Sequence, residues 1–145
     1  MSAPVSLETT IHVRDHCLCL HAQRAARALA RRFDLAMRPA GITSGQFSLL
    51  MSLNRPDAPR IGSVANLLAM DRTTLTANLK PLERRGLVEV IPDEKDRRSR
   101  RLVLTDAGRE VLAMATPIWT ATHANVEAEL GVDPAVLRQG LRAIA

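Results

Sequence analysis

Two clusters of side chains in this 145-residue chain have the types and spacing to grip a polyanion. Arg97, Arg98, Arg100 and Arg101 place four arginines in five positions, directly after Asp96. Guanidinium forks match the oxygens of a phosphate, and an arginine at the tip of a hairpin enters a minor groove where the potential is most negative. The second cluster is Asp71 followed by Arg72, Thr73, Thr74, Leu75, Thr76 and Ala77, with Lys80 one turn later. With Asp71 as N-cap, that helix starts with short side chains able to approach base edges and thymine methyls. Arg72, Lys80 and the arginines of the tip then neutralise phosphates. Each cluster also has a plain reading: a charged loop is often only solvated, and Thr74 can serve Asp71's cap.

A third group is made of imidazoles and thiols. His12, His16 and Cys19 recur at i, i+4 and i+7, one face of a helix. The chain has no Cys-x-x-Cys or His-Glu-x-x-His spacing, so no metal and no cofactor is expected. The four histidines have no patterned nucleophile partner, and no Gly-rich phosphate loop or nucleophile elbow occurs, which points away from an enzyme. Cys17 and Cys19 stand two apart in what reads as one helix, so they are not expected to bridge each other.

The elements that must position these groups are mostly helical. Hydrophobic residues make up 46% of the chain but aromatics only 2%, with no Tyr, so the core must be aliphatic, as in packed helices. The stripe Ile11, Leu18, Ala22, Ala25, Leu29, Phe33 and Ala36 predicts one helix over about 8–38, about 45 Å long and longer than one small lobe needs. Thr43 and Gln46 form a capping box that opens a second helix to about Leu53. Ile61 to Leu68 reads as a third, and Asp71 caps a fourth that reaches Arg85, with Gly86 at its end and Pro81 inside it. Leu87 to Ile91 and Arg101 to Leu104 are the strands of a hairpin with a charged tip. Thr105 caps a fifth helix, bent near Pro117, and Asp133-Pro134 opens the last. The expected fold is mostly α (α+β): a winged helix-turn-helix over about 42–104, flanked by dimerisation helices at about 8–38 and 106–145.

In these residues the chain resembles the MarR family of bacterial transcriptional regulators. The resemblance lies in Ile42-Thr43-x-x-Gln46-Phe47-x-x-Leu50, in Asp71-Arg72-Thr73-Thr74-Leu75-Thr76 and in Leu82-Glu83-Arg84-Arg85-Gly86-Leu87-Val88. Asp96-x-Arg98 and Leu104-Thr105-x-x-Gly108 extend it through the hairpin, so that it covers most of the chain. It implies a two-fold homodimer on a pseudo-palindromic operator in double-stranded DNA, and repression relieved by a small anionic or phenolic ligand. It also implies that Asp96 braces Arg98. The expected effector pocket is lined by His16, Leu20, Phe47 and Met51. Trp119, Val136, Leu137 and Leu141 are expected at the dimer interface.

Leu18-Cys19, eight residues before Arg27, is similar to the placement of the reactive cysteine in the hydroperoxide-sensing branch of that family, which makes oxidant sensing through Cys19 an alternative. That branch relies on tyrosines, and this chain has none. Deep inside a first helix, Cys19 is expected to be a packed, slow thiol. A helical interaction protein that binds no DNA is the alternative of another class. The net charge of +5 and a pI near 10.5 suit nucleic acid. No apolar run approaches the roughly 18 residues of a membrane span, so the chain is expected in the cytoplasm.

Overall fold

Cys17 divides the long N-terminal helix into two. The computed structural model describes residues 1 and 3–145. In it α1 spans Leu7–His16 and α2 spans Leu18–Ala36, and between them Cys17 is extended at φ −68°, ψ 109°. Its amide closes α1 on the Val13 carbonyl, and its Sγ accepts the Leu20 amide at 3.4 Å as the N-cap of α2. His21 Nδ1 donates to the Cys17 carbonyl at 2.7 Å, so the break is well supplied with polar partners. The expectation of one helix over 8–38 is therefore corrected, because its apolar steps continue on both sides of a local cap. Cys19 is thereby placed on a separate helix from His12 and His16, whose rings still stack at 4.2 Å. Cys19 lies in the first turn of α2 and is exposed in the single chain, not packed inside a helix.

The remaining elements follow their caps. A 3-10 turn, Arg38–Ala40, ends at Gly41 with φ +71°. Thr43 and Gln46 close their box in both directions, at 3.2 and 3.0 Å, and start α3, Ser44–Leu53. α4 is the short Ile61–Leu67, and α5 is Arg72–Arg84 with Asp71 accepting the Thr74 amide at 2.7 Å. Leu75, Leu79 and Leu82 are buried along α5, which runs through Pro81 without ending. Gly86, at φ +71°, turns the chain into β1, Val88–Pro92. β1 pairs antiparallel with β2, Arg100–Leu104, in the register Val88↔Leu104 and Val90↔Leu102. Thr105 then caps α6, Asp106–Glu129, one helix through Pro117, and Asp133 caps α7, Pro134–Ile144.

The core gathers around α3 and α5: Phe33, Met37, Leu50, Leu79, Leu82, Leu102 and Leu112 are all buried. Arg32 ties α2 to the end of α6 through two hydrogen bonds to Glu129, 2.6 and 2.7 Å, and this holds the Glu129 carboxyl below its ordinary range. α1 and α7 bury nothing within the chain. Leu7, Ile11, Val136, Leu137, Leu141 and Ile144 are exposed there. Trp119 is partly buried and packs on its own chain's core. Helix-turn-helix followed by a two-stranded hairpin is the winged-helix architecture. Among the described residues no helix is long and apolar enough to cross a membrane.

Candidate nucleic-acid interface

At the start of α5 the threonines divide by their hydrogen bonds. Thr74 gives Asp71 both its amide and, at 2.9 Å, its hydroxyl. These donors hold the Asp71 carboxyl below its ordinary range, so Thr74 serves the cap. Thr76 donates its hydroxyl to the Arg72 carbonyl at 2.8 Å and keeps its methyl group and lone pairs for a partner. Thr73 is exposed and makes no side-chain hydrogen bond among the described residues. Ala77 and Lys80 are exposed on later positions of the same helix.

The hairpin turn is shaped by two aspartates in different ways. Asp96 accepts the backbone amide of Arg98 at 3.0 Å, so it shapes the turn that carries Arg98 and does not hold the guanidinium. Arg100 donates to the carbonyls of Arg97 and Ser99, at 3.0 and 3.3 Å, while Arg97 and Arg98 are exposed. Arg101 does not belong to the tip. Its guanidinium turns inward to Asp93 at 3.1 Å and to the Ala58 carbonyl at 2.6 Å.

Asp93 is buried, at 2% exposure, and sequence reasoning passed over it. Its second oxygen lies 2.8 Å from Arg60 Nε, a close ion pair without the alignment of a hydrogen bond. Burial opposes ionisation of this carboxyl, but the Lys95 amide, Arg101 and the charge of Arg60 outweigh it and keep its pKa below the usual value. Leu102 also donates to the Pro59 carbonyl at 2.9 Å, so the segment before α4 is stitched to β2. The available signal was the register: Arg101 falls opposite Ile91 within the ladder and not in the loop.

α5 begins beside the wing. Arg72 at its first position lines one cleft together with Arg98 and Ser99 of the turn. The exposed start of a helix and an arginine-bearing hairpin therefore share one side of the molecule.

This arrangement has known counterparts. The sequence pattern of the MarR family matches residues 42–99. The M. tuberculosis transcriptional regulator MosR, in a crystal structure with DNA, is 36% identical over 89% of this chain and 93% of its own, with a TM-score of 0.82. The chain belongs to the MarR family. The transcriptional activatory protein BadR of Rhodopseudomonas palustris is 32% identical over 76% of this chain, which spans 65% of BadR's length. A cysteine-to-serine mutant of E. coli MarR complexed with operator DNA shares the fold, with a TM-score of 0.80 at 22% identity over 91% of this chain and 96% of that one. These MarR-family relatives are regulators and not enzymes.

On another side, this MarR-family chain carries a pocket of about 430 Å³ between α2, α3 and α6. Phe47, Trp119 and His123 form a ladder along it. The Trp119 and His123 rings stack at 4.6 Å, and Phe47 and Trp119 at 6.2 Å. Met51 lies in an adjoining depression with Phe47 and Trp119. His16 and Leu20 line neither of these two depressions of the single chain. The pocket's first α2 residue is Ala26, about 9 Å further along the helix than Leu20.

Proposed function

We propose that this chain acts in the cytoplasm as a homodimer that binds a pseudo-palindromic operator in double-stranded DNA and represses transcription there. The observation that carries this reading is the cleft shared by Arg72 and Arg98, which sets the start of α5 beside the wing. α5 enters a major groove with Thr73, Thr76 and Ala77 toward base edges. Arg72, Lys80, Arg97 and Arg100 face phosphates, and Arg98 reaches the phosphates or minor groove beside them. Thr74 contributes through the cap of Asp71.

Residues 42–104 are the DNA-binding lobe in this reading, and 8–38 with 106–145 the dimerisation helices. The apolar side chains left exposed on α1 and α7 are what a second copy would cover. Release by a small anionic or phenolic ligand is supported by the aromatic ladder of the 430 Å³ pocket.

A gel-shift titration with the duplex upstream of the chain's own gene tests the reading. A retarded complex that weakens steeply with salt is expected. No retention at low salt would turn the account toward a helical interaction protein.

Oxidant sensing through Cys19 is favoured by one observation as a second reading. Cys19 is exposed in the first turn of α2, within reach of that helix's N-terminal partial charge. Gln23 Nε2 lies 3.3 Å from its sulfur.

A further inference from the structure

Arg60 occupies the N-cap position of α4 but makes no capping hydrogen bond. Its guanidinium turns to Asp93 instead, while its side chain stays 49% exposed. Asp93 already has one guanidinium in Arg101 and the amide of Lys95 at 3.3 Å. A single buried carboxylate is neutralised by one arginine, so Arg60 brings a surplus positive charge, held by Asp93 and half exposed.

That charge borders the cleft described above. The cleft holds about 320 Å³ and is lined by Arg60, Arg72 and Arg98 together with Ser63 and Ser99. The Arg72 guanidinium lies against α4 at Gly62, where a Cβ would come 2.9 Å from Nη2 and that flexible end would have to shift. Asp96 is the acidic group on the rim, and its carboxylate already accepts the Arg98 amide. Three arginines and two serines against one aspartate leave the cleft cationic and rich in donors.

We propose that this cleft seats one backbone phosphate of duplex DNA, with Arg60 as a phosphate ligand held in position by Asp93. The proposal rests on the DNA-binding reading and adds Arg60, Ser63 and Ser99 to it. A phosphate fits better than a base edge because the cleft lies at the flank of α5, between α4 and the wing. Backbone oxygens run along the groove's rim, and guanidinium forks match their geometry. A contact of this kind carries no sequence information, so it strengthens cognate and non-cognate duplexes alike.

The experiment measures affinity of the full chain for an operator duplex and a shuffled duplex across a salt series. Arg60→Gln should weaken both by about tenfold and lower the slope of log K against log salt by about 0.9, the loss of one phosphate contact. Arg60→Lys should restore the slope but not the whole affinity, because it returns the charge without the fork. Ser63→Ala, at an exposed position, should weaken both duplexes equally and more mildly. An unchanged slope in Arg60→Gln, with Arg98→Ala still flattening it, would overturn the seat and leave DNA binding intact. A wild-type chain that retains neither duplex would overturn the DNA-binding reading itself.

Discussion

Gly108 stands so close to Leu87 that a Cβ on it would lie 2.4 Å from the Leu87 carbonyl oxygen and 2.6 Å from a Leu104 methyl. The first turn of α6 is thereby pressed onto the end of the hairpin, where Thr105 also donates its hydroxyl to the Gly86 carbonyl at 2.7 Å. Gly108→Ala must push backbone and not only a flexible side-chain end. It should destabilise the chain by about 1 to 3 kcal/mol, read as a lower denaturant midpoint with the slope unchanged.

The Asp93 clasp should show in the pH dependence of stability. Its folded pKa lies below the ordinary value, so its contribution is complete above about pH 4 and is lost as pH falls through the folded pKa. Asp93→Asn should therefore be less stable than the parent at neutral pH, and the gap should narrow in acid. Parallel stability curves down to low pH would mean that the carboxylate's charge is not what joins Arg60 to Arg101.

Arg98 and Thr76 should fail differently. Arg98→Ala is expected to cost about 1 to 3 kcal/mol of DNA affinity and to flatten the salt dependence. Thr76 has committed its hydroxyl proton to the Arg72 carbonyl and offers a methyl group. Thr76→Ala should therefore shift which operator variants are tolerated, most visibly at a thymine, with the salt slope kept. Titrations against a panel of single-base operator variants separate the two.

Cys17 and Cys19 should react at different rates. Cys17 is partly buried and uses its sulfur as the cap of α2, whereas Cys19 is exposed. Thiol labelling should modify Cys19 first, and Cys17→Ser should keep the helix cap, since serine is a good one. Substoichiometric organic hydroperoxide then decides the second reading: operator release abolished by Cys19→Ser but not by Cys17→Ser establishes it, and release indifferent to Cys19 removes it.

These residues also mark where the sequence was legible. Thr43 with Gln46, Asp71 with Thr74, Thr105 and Asp133-Pro134 declare themselves because a cap acts over three or four residues, and each opens the helix it was expected to open. The break at Cys17 was hidden because a sulfur is an uncommon cap and the apolar steps run across it. The clasp on Asp93 was hidden for a different reason: Arg60 lies 33 residues before it, and only folding brings the strap before α4 against β2. The partners of Trp119 within its own chain were hidden as well, because no local spacing announces them. Its stacking on Phe47, 72 residues earlier, is a tertiary fact.

In the proposed function, two copies of this chain present two copies of α5 and the wing to one duplex. A nuclease footprint of the full chain on the DNA upstream of its gene tests this most directly. The expected result is one protected stretch with two-fold symmetry, its half-sites centred about 10 base pairs, or a multiple of that, apart. Protection of a single unsymmetrical half-site, or none at concentrations where the chain is dimeric, would contradict it.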